Sequence, residues 1–164
     1  MGQAVRALFT SPQVTGRNVQ LSYVIAAQGE FADAEAAKHH VIDERAWGAV
    51  VVSAGASQDL QNAVTSRSTT YNATNAITLY ITTARNENAV PRLVTPQLTP
   101  ALERFVEQFA ETNARNLAGT ADIGGLLAAA PALITRPVGW HTEDLRPFDV
   151  PVAAAVDFVG YVPR

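Results

Sequence analysis

At 164 residues, with 48% hydrophobic and 16% charged residues, the chain has the size and composition of one folded domain with a single modest core. Its net charge is −3, and its eleven arginines and one lysine are dispersed rather than clustered, which argues against a nucleic-acid or anionic-lipid binder. The absence of cysteine removes disulfides, thiol catalysis and thiolate metal ligation.

The apolar stretches Ile123–Ile134 and Val150–Val162 both fall short of the about 20 residues that span a bilayer, and the second contains Asp157. The opening Met1–Arg6 lacks a signal-peptide core and has Arg6 where a myristoylation motif needs Ser or Thr. By itself the chain reads as soluble.

In chain order, Val5, Leu8 and Phe9 recur at helical spacing and predict a short helix over Gly2–Phe9, closed by Ser11-Pro12. Val19–Ala27 alternates apolar Val19, Leu21, Tyr23 and Ile25 with polar or small residues, the pattern of a strand. Phe31–Ile42 places Phe31, Ala34, Ala37, Lys38 and Val41 near one face and predicts an amphipathic helix. A strand over Trp47–Val52 and a turn over Ser53–Ser57 follow, with Ser57 capping a helix through Val64 whose stripe is Leu60, Ala63 and Val64.

Thr65–Asn75 reads as a polar loop and Ala76–Thr83 as a strand rich in β-branched residues. A long helix starts at Thr99 with Pro100 in its first turn, carrying Leu102, Phe105, Val106, Phe109 and Leu117 opposite Glu103, Glu107 and Glu111. Gly124-Gly125 and Pro131, Pro137, Pro147 and Pro151 break the remainder into a short helix, extended segments and turns. Alternating strands and helices predict an α/β (or α+β) domain with a small mixed, partly parallel sheet of three to four strands packed with helices. Val50–Val52 and Ile77–Ile81 read as its inner strands.

No residue set amounts to a catalytic or cofactor site. His39, His40, Asp43 and Glu44 form i, i+4 pairs, but His141 is the only other histidine and a metal needs at least three converging ligands. Ser53-Ala-Gly-Ala-Ser57 follows a strand but lacks the Gly-x-Ser-x-Gly order of a nucleophile turn. Neither glycine-rich phosphate motif occurs. Arg85-Asn-Glu-Asn88 lies where α/β sheets place ligands, but loops of this kind are common, and a solvated strand exit with Arg85 paired to Glu87 or a nearby carboxylate is the favoured explanation. Asn72-Ala-Thr74 is an N-glycosylation sequon.

Three segments, Trp47-Gly-Ala-Val-Val-Val52, Tyr71-Asn72…Ala76-Ile-Thr-Leu-Tyr80…Ala84-Arg85 and Leu145-Arg-Pro-Phe-Asp-Val-Pro-Val-Ala153, resemble the fungal nitrosoguanidine-resistance protein family. These are multi-span membrane proteins related to type-2 ABC exporter permeases and to the YhgE/Pip group. The resemblance runs from Gly2 to about Tyr161. It implies that residues 1–164 are one extracytoplasmic or lumenal domain, lacking the family's first strand and both flanking membrane helices, the second of which follows Phe158-Val-Gly160. It also implies a role in drug or toxin resistance, transport or membrane-lipid homeostasis, puts Asn72 on the glycosylated side, and supplies no catalytic residues.

The leading expectation is therefore a non-enzymatic domain, without cofactor or metal, whose partner is the rest of a permease-like membrane protein or a second copy of itself. An exposed sheet edge left by the missing strand would favour such self-pairing. The second reading is a soluble module that binds a small hydrophobic ligand in a pocket lined by Arg85, Trp140 and His141. A third is a hydrolase using Ser53 or Ser57 with a histidine.

Overall fold

A computed structural model describes residues 1–10, 21–27, 30–86, 88–120 and 122–148. Helices α1 (Gly2–Thr10) and α2 (Ala34–Ile42) precede β1 (Gly48–Val52), α3 (Ala56–Ser66) and β2 (Ile77–Ile81). The long α4 (Thr95–Thr120), short α5 (Ile123–Ala129) and α6 (Ala132–Thr135), and β3 (Trp140–Asp144) complete the described order. The sheet runs β1-β2-β3. β1 is antiparallel to β2, with Gly48 opposite Ile81 and Val52 opposite Ile77; β3 is parallel to β2, with Trp140 opposite Ile77 and Asp144 opposite Ile81. The small mixed sheet and the α/β class are thus as expected, with three strands.

β2 is the axis of the fold because both of its edges and both of its faces are covered. All five residues of Ile77-Thr-Leu-Tyr-Ile81 are buried. Ile77, Leu79 and Ile81 join Leu98, Leu102, Phe105 and Val106 of α4 in the main core, which also takes in Val5 of α1. Thr78 and Tyr80 point to the opposite face, as strand alternation requires. There Lys38 of α2 lies over the Tyr80 ring, 5.3 Å from its centroid, and pairs with Glu35 at 2.9 Å and Glu143 of β3 at 3.4 Å. The hydrogen bond with Glu35 holds the Lys38 ammonium above its ordinary 10.5, against partial desolvation and aided by the charge of Glu143.

A second apolar cluster, Leu60, Ala63, Leu126, Ala130 and Leu133, joins α3, α5 and α6 beside the first. Gly48 allows the antiparallel pair to close: a Cβ there would lie 3.0 Å from the Tyr80 carbonyl oxygen.

Several expectations are corrected. β1 is an edge strand, not an inner one, and each of its residues is only half-buried. Residues 21–27 form no strand. The Leu21 amide bonds to the Gln97 side chain at 3.1 Å, Tyr23 stacks on Phe9 at 4.9 Å, and Val24 is 89% exposed, so this segment leans on helices instead of joining a ladder. Val19 and Gln20, the Ser11-Pro12 stop, Glu87, the end of the segment at 149–153 and the 150–162 stretch lie outside the described residues.

α2 begins at Ala34 rather than Phe31 because the Asp33 carboxylate caps it, accepting from Ala36 N at 2.9 Å. Ser57 is no cap: left-handed Gly55 (φ 79°) occupies that position and Ser57 lies inside α3. α4 begins at Thr95, not Thr99, and Pro100 is internal to it. A π-type turn over Val90–Val94 precedes it, with the Thr95 amide donating back to Val90 O. Gly124 and Gly125 do not break the chain; they sit within α5, whose first turn Asp122 caps by accepting from Gly125 N at 3.0 Å.

No helix among the described residues is long and apolar enough to cross a membrane. Leu102 is fully buried between α4 and the sheet. Leu102→Ala is expected to lower the unfolding free energy by about 2–5 kcal/mol in urea titration, with an unchanged slope.

Candidate functional site

The carboxyl ends of the parallel strands β2 and β3 meet in a network of polar groups. Thr82 and the short 3-10 turn Thr83–Arg85 leave β2, and Leu145–Phe148 leaves β3 alongside them. Asp144 ties the two exits together. Its Oδ1 accepts from the amides of Thr83 and Arg146, each at 3.2 Å, and its Oδ2 accepts from the Thr83 hydroxyl. The Thr83 oxygen in turn accepts from the Phe148 amide at 2.9 Å, and Ala84 N donates to Arg146 O at 2.9 Å.

Arg85 turns from this junction toward the start of β1. Its guanidinium carbon lies 4.0 Å from the centroid of Trp47, Nη1 donates to Ala46 O at 3.1 Å, and Nε is 3.8 Å from a Glu44 oxygen. Stacking on an indole is a favourable place for a guanidinium, because the ring face carries the negative end of its quadrupole. Glu44 reaches this position from a left-handed backbone (φ 61°), a conformation that costs a residue with a side chain. Among the described residues, the carboxylate beside Arg85 is Glu44, from the segment that leads into β1. A cleft of about 70 Å³ opens here, walled by Ile42, Glu44, Thr82, Ala84, Arg85 and Arg146.

Trp140 and His141 are not part of this cleft. They sit at the start of β3, opposite Ile77 and Thr78, while Arg85 lies past the other end of β2. Four strand steps, roughly 13 Å, separate the ends before the turn adds its own length. The pocket of Arg85, Trp140 and His141 expected from sequence does not form. Trp140 packs half-buried against the main core. Exposed His141 places Nδ1 3.0 Å from Thr74 O, a carbonyl that can only accept, so Nδ1 carries the proton.

The other candidates are also dispersed. His39 and His40 occupy the last turn of α2, where His40 meets Phe31 edge-on, and no three His, Asp or Glu side chains converge among the described residues. Ser53 donates to Asn75 O, and Ser57 Oγ lies 3.0 Å from the Met1 amine; neither bonds a histidine among the described residues. Asn72 is exposed and starts a 3-10 turn, its Oδ1 accepting from Thr74 N at 3.1 Å and from the Thr74 hydroxyl at 2.7 Å. Its Nδ2, the atom that would carry a glycan, bonds only Asn75 Oδ1 at 3.3 Å among the described residues.

A larger opening than this cleft is one that sequence reasoning did not locate. Between α3, α4 and α5 lies a cavity of about 630 Å³ whose apolar walls are Leu60, Val64, Phe109, Leu117 and Leu126. Arg67 and Asp122 stand at its edge, joined at 3.1 Å from the end of α3 to the cap of α5. Arg67 is left-handed (φ 52°), and Gly125 leaves room for the pair, since a Cβ there would lie 2.4 Å from Asp122 Oδ2 and 3.0 Å from the guanidinium. Nearby Tyr71 donates to Pro137 O at 3.0 Å, and burial, with the charge of Asp59, raises its pKa above 10.0. The Asp122-x-x-Gly125 spacing was the available signal for this end of α5, hidden because paired glycines read as a breaker.

Asp144 holds both strand exits through three accepted bonds, so Asp144→Ala is expected to cost about 1–3 kcal/mol in chemical denaturation. The same variant should raise amide exchange at Thr83 and Phe148 while leaving β1 protected.

Neither a curated relative nor a solved structure matches the chain. A family model does, over nearly its full length: residues 1–163 match the family described as protein of unknown function (DUF3533). The chain belongs to the DUF3533 family.

Proposed function

We propose that this is a non-enzymatic domain of a membrane protein, placed on the extracytoplasmic or lumenal side, that takes up a small apolar molecule as part of resistance, transport or lipid homeostasis. The observation that carries the ligand-handling part is the cavity between α3, α4 and α5. Its volume of about 630 Å³ lies within the range of roughly 300–1,000 Å³ usual for small-molecule sites. Its lining mixes apolar Leu60, Val64, Phe109, Leu117 and Leu126 with polar Ser57, Gln61, Thr65, Asn113 and the Arg67–Asp122 pair, which suits reversible uptake, and no histidine stands among its described lining residues to activate Ser57. The placement at a membrane rests on the resemblance of the Trp47–Val52 and Leu145–Ala153 segments to the nitrosoguanidine-resistance proteins.

A free-standing ligand-binding module is the second reading, favoured by the same cavity without the membrane context. The two differ in where the domain resides.

The uncharged dye N-phenyl-1-naphthylamine should bind saturably with enhanced fluorescence. Val64→Phe, which fills the cavity wall, should weaken that binding at least about tenfold with little change in melting temperature. Equal binding by both proteins, or no saturable signal, removes the cavity from the proposal.

For placement, the gene product is expressed in a eukaryotic cell. An endoglycosidase-sensitive mass shift that disappears in Asn72→Gln is the expected result, since Asn72 is exposed and Nδ2 is lightly committed. An unmodified chain that is digested by added protease only after the cells are permeabilised would put the domain on the cytosolic side and overturn the membrane reading.

A further inference from the structure

The small cleft at the carboxyl ends of β2 and β3 carries an inference separate from the apolar cavity. Thr82 is 2% exposed, lines this cleft, and its hydroxyl has no hydrogen-bond partner among the described residues. Leaving a buried hydroxyl unpaired costs stability, so such a group in a native fold calls for an explanation. Among the described residues, Arg85, Arg146 and Glu44 line the cleft with it.

Arg85 commits Nη1 to Ala46 and holds Nε near Glu44, which leaves Nη2 uncommitted among the described residues. At 3.8 Å the Glu44 contact is an ion pair too long for a hydrogen bond. The Arg146 backbone is fixed on both sides, its amide by Asp144 and its carbonyl by Ala84. Asp144 itself is spent on Thr83 and on that amide, so it adds no acceptor to the cleft.

We infer that this cleft is a binding site for an oxyanion, the carboxylate or phosphate group of a small ligand, held by Arg85, Arg146 and the hydroxyl of Thr82. Among the described lining residues Arg85 and Arg146 outnumber Glu44, and the neighbouring Asp144 keeps its charge while its oxygens are taken by Thr83 and the Arg146 amide. The hydroxyl supplies a donor that no described protein atom uses. A volume of about 70 Å³, against about 30 Å³ for one water in the liquid, admits one such anionic group and requires anything larger to extend outward from the cleft. The carboxyl end of a parallel strand pair is also where open α/β sheets hold their ligands.

The test uses the full chain with Trp140→Phe, which leaves Trp47 as the only indole, 4.0 Å from Arg85. Sodium phosphate and sodium acetate are titrated separately against sodium chloride at matched ionic strength, and Trp47 emission is followed. A saturable change with phosphate or acetate beyond that with chloride is expected, and the tighter of the two identifies the ligand as a phosphate or a carboxylate. Arg146→Gln and Thr82→Val should each weaken binding about tenfold, as loss of one charge-assisted bond does.

Thr82→Val should also leave the melting temperature unchanged or raised, since it removes an unpaired hydroxyl while keeping the side chain's shape. Emission changes no different from chloride, or equal affinity in both variants and the parent, overturn the inference. So does a lowered melting temperature in Thr82→Val, which would mean that the hydroxyl already has a partner.

Discussion

The fold depends on the burial of one five-residue strand. β2 must satisfy its backbone on two edges and its side chains on two faces, and those demands place β1, β3, α1, α2 and α4. β1 and β3 take the edges; α4 and α1 cover Ile77, Leu79 and Ile81; α2 covers the face of Thr78 and Tyr80. A buried strand with either edge bare would leave backbone groups unpaired, so the polar segment Trp-His-Thr-Glu-Asp is drawn into the sheet despite its composition. The same demand sets the register that separates Trp140 from Arg85.

How much of this could be read in advance varied with the physics of each element. Leu102, Phe105 and Val106 announce α4 because a helix facing a core must repeat its apolar residues, and Ile77–Ile81 announces β2 because a strand buried on both faces is continuously apolar. β3 gave no such signal: Trp140 packs on the core, but His141, Glu143 and Asp144 of this edge strand meet Thr74, Lys38 and Thr83, and polar side chains satisfy that setting. Residues 21–27 show the converse failure, since their alternation is genuine but is used against α1 and α4. Periodicity reports which side of a segment is buried, not whether a neighbouring strand exists to pair with it.

The candidate sites were less legible than the fold for a related reason. Arg85 was identifiable as a charged residue at a strand exit, but its surroundings come from Glu44, Thr82 and Arg146, brought together by antiparallel and parallel pairings that no local pattern encodes. The cavity depends on a glycine that permits an ion pair to close over α5, and on Phe109 and Leu117, which look like core and are only half-buried. Both openings lie where two elements distant in sequence meet imperfectly.

The parallel pairing of β2 with β3 also governs how the chain reaches this state. Thr78 and His141 are 63 residues apart, and α4, α5 and α6 all lie in the loop that their contact closes. Closing so long a loop costs conformational entropy before any ladder bond repays it. The β1–β2 ribbon, whose strands are far closer in sequence, can assemble first and wait with one side of β2 open until the helices dock. High separation of this kind slows folding, and it makes the uncovered side of β2, apolar throughout its odd positions, the surface most exposed to mispairing while the chain is new.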